Sequence, residues 1–307
     1  MRPALVTLTA PTIEEAFRAL GTEVRVIVSG HGARSAVEEA RRAILDYHVR
    51  LSRFLPLSEL STLNRDPRPV APASGLLRSA VSAAIRAAKR SGGLVDPCLL
   101  DALVTAGYAR SYEADGALRL PSGPIRSARP HPEARWRDVR VDDVAGTIER
   151  PTGLRFDLGG TGKGHVADLI AGRLGAFSDW AVDCGGDVRV GGIREVQIAH
   201  PLRSEPAARL SVADGAIATS SVVSRAWTTS DGDRAHHLLD PRSGSPVWTG
   251  LLTATALAPT TLEAETLAKV ALLRGPIEAR EALAHGGVLI HAGGSVETVA
   301  SPAQLAA

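Results

Sequence analysis

The chain has 307 residues, of which 44% are hydrophobic and 22% are charged, and its formal net charge is +2. This near-neutral, globular composition excludes a polybasic nucleic-acid-binding protein and an acidic disordered chain. The length accommodates one large domain or two ordinary ones, and either can bury a sizeable core.

Cysteine usage and hydropathy bear on the cell compartment. The two cysteines, Cys98 and Cys184, lie far apart without CxxC spacing, so neither a disulfide framework nor a structural zinc site is indicated. The N-terminus lacks a long apolar stretch with a cleavage site, and no apolar run of about 18 residues occurs anywhere. We therefore predict a cytoplasmic protein with no transmembrane segment.

Lysine is scarce in this arginine-rich chain. Of the 35 Lys and Arg residues, only Lys89, Lys163 and Lys269 are lysines. The surroundings of these three positions are therefore of interest.

The first part of the chain predicts helices around one strand. An acidic helix start at residue 14 precedes residues 22–29, whose alternating valines predict a half-buried strand. Apolar residues at helical spacing predict amphipathic helices over 33–53 and 74–91. Residues 111–134, rich in Pro, Ser, Gly and Arg, predict an exposed excursion rather than a packed element.

The remainder predicts clustered short strands with two helices. Because strands follow one another and helices do not alternate with them strictly, the fold class is α+β rather than a doubly wound sheet. Helices are predicted over 166–174 and 262–274. The predicted strands are residues 139–144, 147–150, 153–157, 180–183, 188–190, 196–199 and 209–212.

The most specific local motif is the glycine-rich run DLGGTGKG at 157–164, between a strand and a helix. Its glycines let a ligand approach the backbone, the amides of the following helix start favour an anion, and Lys163 adds a positive charge. The spacing matches neither a Walker P-loop nor a Rossmann fingerprint. A tight turn without a ligand is the alternative interpretation.

Three weaker clusters follow. DCGGD at 183–187 is a common kind of turn. IATSS at 217–221 follows an apolar strand, and its hydroxyls are candidates to bind a phosphate or a ring carbonyl; the alternative is an ordinary strand end. In HHLLDPRSG at 236–244, His237 is able to exchange a proton near neutral pH, and Asp240 orients either that histidine or the backbone after it. A structural histidine is the alternative.

These segments together resemble the ApbE family. The resemblance covers roughly residues 14–300, and each motif is moderately specific while their combined order is strong. The motifs are LGT (20–22), LSRFLPLSELSTLNR (51–65), SGGLVDP (91–97), DLGGTGKG (157–164), DCGGD (183–187), IATSS (217–221), HLLDPRSGSPV (237–247) and AETLAKVALLRG (264–275).

The resemblance implies a FAD:protein FMN transferase with an ApbE-like α+β fold, whose FAD site lies between two lobes of mixed or antiparallel sheets and packed helices. Members bind FAD, cleave its pyrophosphate with Mg²⁺, release AMP and join FMN to a Thr or Ser hydroxyl of an acceptor protein. The implied partners are therefore FAD and an acceptor protein, without nucleic acid. Residues 14–300 would form one domain, with an N-terminal extension over 1–13 and a tail over 301–307.

The resemblance also implies roles for individual residues. His237 would serve the transfer step, with His236 a bystander, and a neutral imidazole could take the proton of the attacking hydroxyl. Lys163 and Asp157 would hold FAD through the glycine turn. The other implied FAD contacts are Leu20, Phe54, Leu94, Val95, Asp96 and Leu238.

The implied metal site departs from the family pattern. The family places Asp and Thr four residues apart on the last helix, together with a carbonyl of the glycine turn; here the matching residues are Glu265, Lys269 and Gly160. Glu265 still offers a hard oxygen, but a charged lysine cannot ligate a cation. We predict that Mg²⁺ is retained by Gly160 and Glu265 with fewer protein ligands. The alternatives are that the Lys269 ammonium replaces part of the metal's charge, or that the two form a surface pair at i and i+4.

Two other activities stay open from the sequence: a Mg²⁺-dependent FAD pyrophosphatase that yields FMN and AMP, and a FAD-binding protein without catalysis.

Overall fold

A computed structural model describes residues 11–111, 124–229, 232 and 234–301. Within these ranges the strands are β1 (Thr12–Ala19), β2 (Thr22–Ser29), β3 (Val70–Pro72), β4 (Arg140–Asp142), β5 (Thr147–Glu149), β6 (Asp179–Cys184), β7 (Val188–Gly191), β8 (Ile193–Ile198), β9 (Ala208–Ala213), β10 (Ala216–Ser221), β11 (Ala226–Thr228), β12 (Arg234–His236), β13 (Leu251–Ala258), β14 (Gly287–His291) and β15 (Val296–Val299). The α-helices are α1 (Ala33–Leu51), α2 (Glu59–Arg65), α3 (Gly75–Arg90), α4 (Leu100–Thr105), α5 (Gly162–Leu174), α6 (Thr261–Arg274) and α7 (Pro276–Ala282), and Arg135–Asp138 forms a 3-10 helix.

Eight strands form the main sheet, in the order β1-β2-β6-β7-β10-β13-β14-β15. Every neighbouring pair in it is antiparallel. The sheet joins strands from both ends of the described chain, and helices pack against it. The predicted α+β class with antiparallel sheets is therefore confirmed.

Two predicted helices and one predicted strand of the first part are also confirmed. Val24, Val26 and Val28 of β2 are fully buried, as their alternation predicts. Helix α1 buries the stripe predicted at helical spacing, and α3 begins where the Ser74 hydroxyl accepts a hydrogen bond from the Leu77 amide at 3.2 Å.

The predicted acidic helix start at residue 14 is wrong, because β1 occupies it. Its burial alternates with period two, and it pairs with β2 residue by residue from Thr12 to Ala19. Pairing along a whole strand edge outweighs the weak helix propensity of the Glu-Glu-Ala run. The strand also begins two residues before the predicted domain boundary at residue 14.

The segment 153–157 does not form the strand that the sequence predicts: Gly153 lies in a turn with φ of 76°, and residues 154–157 have no regular secondary structure. The side-chain amide of Asn64 brackets Phe156: its Oδ1 accepts from the Phe156 amide at 2.8 Å, and its Nδ2 donates to the Phe156 carbonyl at 2.9 Å. A side chain of α2 thus replaces the neighbouring strand as hydrogen-bond partner.

Of the predicted exposed excursion 111–134, residues 112–123 lie outside the described residues, and 124–134 are exposed except at Ala128, His131 and Ala134. Ala128 and Ala134 are buried, and the Ala128 amide donates to the Leu273 carbonyl at 2.8 Å. The segment is therefore an exposed loop that is anchored to α6 at Ala128.

The two largest core clusters divide the molecule into two lobes. One is built on β2, β6, α1, α3 and α5, and the other on β13, β14, α6 and α7. Among the described helices, none is long and apolar enough to cross a membrane.

Candidate functional site

A cavity between the two core clusters is lined by residues of both, and it brings most predicted site residues together. Ten of the eleven line it: Leu20, Phe54, Leu94, Val95, Asp96, Asp157, Gly160, Lys163, His237 and Leu238. The eleventh, Glu265, is not among the lining residues and is 1% exposed.

The glycine turn forms the cationic floor of the cavity. Asp157 shapes it, because its Oδ1 accepts a hydrogen bond from the Gly159 amide at 2.7 Å and its other oxygen is paired with Arg53. The turn leads directly into α5, whose first residues line the cavity with their backbone. A helix N-terminus beside a lysine suits a bound anion.

Lys163 is held by a residue from the second glycine motif. Its Nζ lies 2.5 Å from Oδ2 of Asp187, whose side chain is 1% exposed. Burial lowers the pKa of Lys163, but the negative charges of Asp187 and Glu265 outweigh it and raise the pKa above its usual value. The ammonium therefore stays charged at neutral pH.

The DCGGD turn positions Asp187 for this contact. Asp183 closes the turn by accepting from the Gly186 amide at 2.7 Å, and Gly185 and Gly186 have φ of 67° and 90°. Such conformations favour glycine. The hydroxyls of the IATSS segment do not line the cavity: Thr219 of β10 instead shares a hydrogen bond of 2.9 Å with Thr255 of β13.

An aromatic wall faces the cationic floor. The Phe54 and Tyr108 rings meet edge to face with centroids 5.6 Å apart, and Tyr108 stacks on Trp227 at 5.2 Å. The Arg53 guanidinium lies 4.1 Å from the Phe54 centroid and 4.8 Å from that of Tyr108. These contacts orient flat surfaces for a planar ligand.

His237 lies at the cavity beside this wall, and its ring centroid is 6.2 Å from that of Tyr108. Burial lowers the pKa of His237 well below its usual value, and Arg225, His236 and Lys269 add to the effect. The imidazole is therefore neutral at neutral pH and able to accept a proton. Its Nδ1 lies 3.4 Å from the Arg225 carbonyl oxygen.

The neighbours of His237 in sequence have structural roles. His236 is 1% exposed, and its ring bonds the Val247 carbonyl at 2.9 Å and the Leu238 amide at 3.2 Å. Asp240 accepts from the Arg129 and Arg242 amides at 2.7 and 3.2 Å. Of the two predicted roles for Asp240, the structure therefore favours orienting backbone.

Two other predicted contacts occupy constrained turns. Leu20 has φ of 57° in the tight turn between β1 and β2, and its amide donates to Nδ1 of His48 at 3.3 Å. Asp96 accepts from the Cys98 amide at 2.8 Å, and burial raises the pKa of its carboxyl group.

Glu265 and Lys269 form a buried pair on α6. The Nζ of Lys269 lies 3.0 Å from Oε1 of Glu265, and Oε2 accepts a hydrogen bond from the Gly164 amide at 2.9 Å. Lys269 is 8% exposed, so the alternative of a surface pair is wrong. Burial raises the pKa of Glu265, and the charge of Lys269 opposes that rise.

This arrangement does not fit the predicted Mg²⁺ site. Both carboxylate oxygens of Glu265 already have partners, and one of them is an ammonium that would repel a cation at the same place. In the described ranges, no cluster of three or more His, Cys, Asp or Glu side chains could hold a metal.

Several residues that line the cavity are not predicted from the sequence. Among them are Tyr47, Arg53, Tyr108 and Arg225. Tyr108 and Arg225 lie outside every recognised motif, and Tyr47 lies in the helix predicted over 33–53, also outside the motifs. Arg53 stands directly before Phe54 in a recognised motif, and this adjacency was the one signal that could have identified it.

The chain is similar to solved and curated ApbE proteins over most of its length. It is 24% identical to the ApbE protein of Thermotoga maritima, covering 95% of this chain and 98% of that one, with a TM-score of 0.78. It is 19% identical to the flavinyl transferase ApbE of Pseudomonas stutzeri in its apo form, covering 97% of each chain, with a TM-score of 0.75. These two likenesses show a common fold.

A curated relative extends the similarity in sequence. The FAD:protein FMN transferase of Escherichia coli K12 is 25% identical over 338 aligned positions, covering 98% of this chain and 90% of the relative. The profile of the ApbE family matches residues 20–291, nearly the whole chain. The chain therefore belongs to the ApbE family.

Proposed function

We propose that this protein is a FAD:protein FMN transferase, which cleaves FAD and joins FMN by a phosphoester to a Thr or Ser hydroxyl of an acceptor protein. The observation that carries the proposal is a single cavity with the Lys163–Asp187 pair at a helix N-terminus and a neutral His237 beside aromatic rings. The names of the curated relatives support it.

The cavity suits both parts of FAD. Phe54 and Tyr108 offer ring surfaces and Leu94, Val95 and Leu238 offer apolar ones, which fits planar ring systems. The glycine turn and Lys163 offer amide donors and positive charge, which fits a diphosphate. We therefore propose the predicted cofactor-binding residues as FAD contacts.

The reaction requires little covalent chemistry from the protein. The acceptor oxygen attacks the phosphorus of the FMN half, the bond from that phosphorus to the bridging oxygen breaks, and AMP leaves with the electron pair. His237 would take the hydroxyl proton, since its imidazole is neutral. Lys163 and the amides of the turn would stabilise the charge that develops on the phosphoryl oxygens.

The test measures AMP and protein-bound flavin separately. The protein is incubated with FAD, with and without a Thr- or Ser-containing candidate acceptor, and AMP is quantified by chromatography. A gain on the acceptor of the mass of FMN less water supports the transferase. AMP release that is indifferent to every acceptor indicates a pyrophosphatase, and FAD binding without AMP indicates a binding protein; both contradict the proposal.

A matched pair of variants links the reaction to His237. We expect His237→Ala to bind FAD and to lose transfer by about 100-fold or more, the usual contribution of a general base. Its neighbour makes no contact with the cavity, so His236→Asn, which keeps a hydrogen-bonding side chain, serves as control. Equal loss in both variants would contradict a catalytic role for His237.

Three further statements belong to this proposal. One domain would comprise the predicted range 14–300 together with the first two residues of β1, Thr12 and Ile13, since strands from both ends of this range share one sheet. A cytoplasmic location stays a prediction, which cell fractionation tests. No step is assigned to Mg²⁺, because Glu265 and Lys269 as they lie do not fit it.

A further inference from the structure

Lys269 occupies an unusual environment for a lysine. It lies on α6, where ten of the fourteen residues are buried, and it is itself 8% exposed. Lysine is almost never buried unless it is paired. Its partner Glu265 lies one turn earlier on the same helix and is more deeply buried, at 1% exposure.

The side chain of Lys269 reaches the cavity rather than the protein surface. It lines the cavity together with Lys163, and a Cβ built at Gly160 would lie 3.6 Å from Cε of Lys269. The lysine therefore passes directly beside the glycine turn.

Glu265 ties the lysine to the same turn from behind. Its Oε1 accepts from Lys269 and its Oε2 accepts from the Gly164 amide, so one carboxylate links α6 to the start of α5. An ammonium has three N–H donors, and the bond to Glu265 uses one of them. The remaining donors are available to a ligand in the cavity that Lys269 lines.

We propose that the Lys269 ammonium takes the place of a divalent cation at the diphosphate of FAD, so that this protein cleaves FAD without a bound metal. This inference rests on the proposed function. It adds that a lysine, and not a metal ion, neutralises the negative charge of the diphosphate during cleavage. Lys163 stands at the end of the glycine turn and Lys269 lies beside Gly160, and each is held by a buried carboxylate, Asp187 and Glu265 respectively.

The role of Lys269 in the step is electrostatic. As the acceptor oxygen forms its bond to phosphorus and the bridging oxygen departs with AMP, negative charge increases on the bridging and non-bridging oxygens. Lys269 donates hydrogen bonds to these oxygens and does not exchange its proton. A fixed cation that is largely buried, as Lys269 is, stabilises such charge more than one in bulk water.

The first experiment asks whether the wild-type protein needs or binds a metal. We expect protein stripped with EDTA to release AMP from FAD at the same rate with and without added Mg²⁺. Electron paramagnetic resonance with Mn²⁺ as probe should detect no protein-bound metal in the presence of FAD. A strict requirement for Mg²⁺, or stoichiometric Mn²⁺ binding, would overturn the proposal while leaving the transferase function intact.

The second experiment removes the ammonium. Because Lys269→Met alone leaves the buried Glu265 carboxylate without its counter-ion, we pair it with the double variant Glu265→Gln/Lys269→Met, which removes both charges. The double variant should keep its melting temperature and release AMP about 100-fold more slowly, as when one donor to a developing oxyanion is lost. Lys89→Met, a lysine exposed on α3, is the matched control.

A double variant that folds and turns over at the wild-type rate would show that the pair is only structural. Lys269→Thr tests the converse, because a hydroxyl is a possible metal ligand; we expect this variant to gain Mn²⁺ binding and dependence on Mg²⁺. If the wild type releases no AMP under any condition, the proposed function fails. Mn²⁺ binding by the wild type and the FAD affinity of the double variant need no turnover, so they test the role of Lys269 independently of the proposed function.

Discussion

Lys163 and Asp187, which are 24 positions apart along the chain, form an ion pair with 2.5 Å between Nζ and Oδ2. The pair joins the two glycine-rich motifs. The carboxylate is 1% exposed and the lysine side chain 17% exposed. The aspartate side chain is thus enclosed by the protein, whereas the lysine side chain lines the cavity. This difference in exposure lets one residue position the other.

Removal of the Asp187 charge should destabilise the protein. Asp187→Asn leaves a mostly buried ammonium without its counter-ion, and breaking a buried pair costs about 3 kcal/mol of unfolding free energy. Urea denaturation measures the loss. Asp183→Asn is the matched control, since Asn retains the oxygen that accepts from the Gly186 amide; equal destabilisation would contradict a specific role for the pair.

The lowered pKa of His237 should appear in the pH profile of transfer. The neutral imidazole is the active form, and a pKa below the usual value keeps it neutral as the pH falls through about 6.5. We therefore expect kcat/KM to hold at pH 6.5 and to fall only at lower pH. An acidic limb centred at or above pH 6.5 would contradict this assignment.

Tyr108 should contribute to flavin binding through its ring. Loss of an aromatic contact is worth up to about 1.5 kcal/mol, so we expect Tyr108→Ala to weaken the affinity for FMN by about tenfold. Flavin fluorescence measures the affinity, and Tyr108→Phe, which keeps the ring, should change it little. We assign the neighbouring rings of Tyr108 and Phe54 to the flavin and not to the adenine, so the affinity for AMP should not change. Equal weakening of FMN and AMP binding would contradict this assignment.

Two glycines of α5 should respond oppositely to alanine. A Cβ at Gly164 would lie 2.7 Å from Cα of Leu262, so α5 and α6 would have to separate, at a cost of about 2 kcal/mol. Gly172 has no atom within 4 Å of such a Cβ, and Gly172→Ala should stabilise the helix by about 0.5 to 1 kcal/mol. Urea denaturation of both variants checks the pair; destabilisation by Gly172→Ala would contradict the prediction.

Local patterns in the sequence predicted the elements whose residues carry their own signal. The valine alternation of β2, the stripe of α1 and the Ser74 cap of α3 are properties of neighbouring residues, so they can be found without tertiary contacts. By contrast, β1 was expected as a helix start. Its conformation depends on pairing with β2, which acidic residues near its start do not reveal.

The scarcity of lysine drew attention to two positions, for which the sequence predicts an anion-binding turn at Lys163 and a substituted ligand position at Lys269. Tertiary structure decided their environments: Lys163 meets Asp187 from another motif, and Lys269 meets Glu265 beside Gly160. Burial and charge at these positions arise from contacts between α5, α6 and the DCGGD turn. Such contacts join residues distant in sequence, and therefore no local pattern contains them.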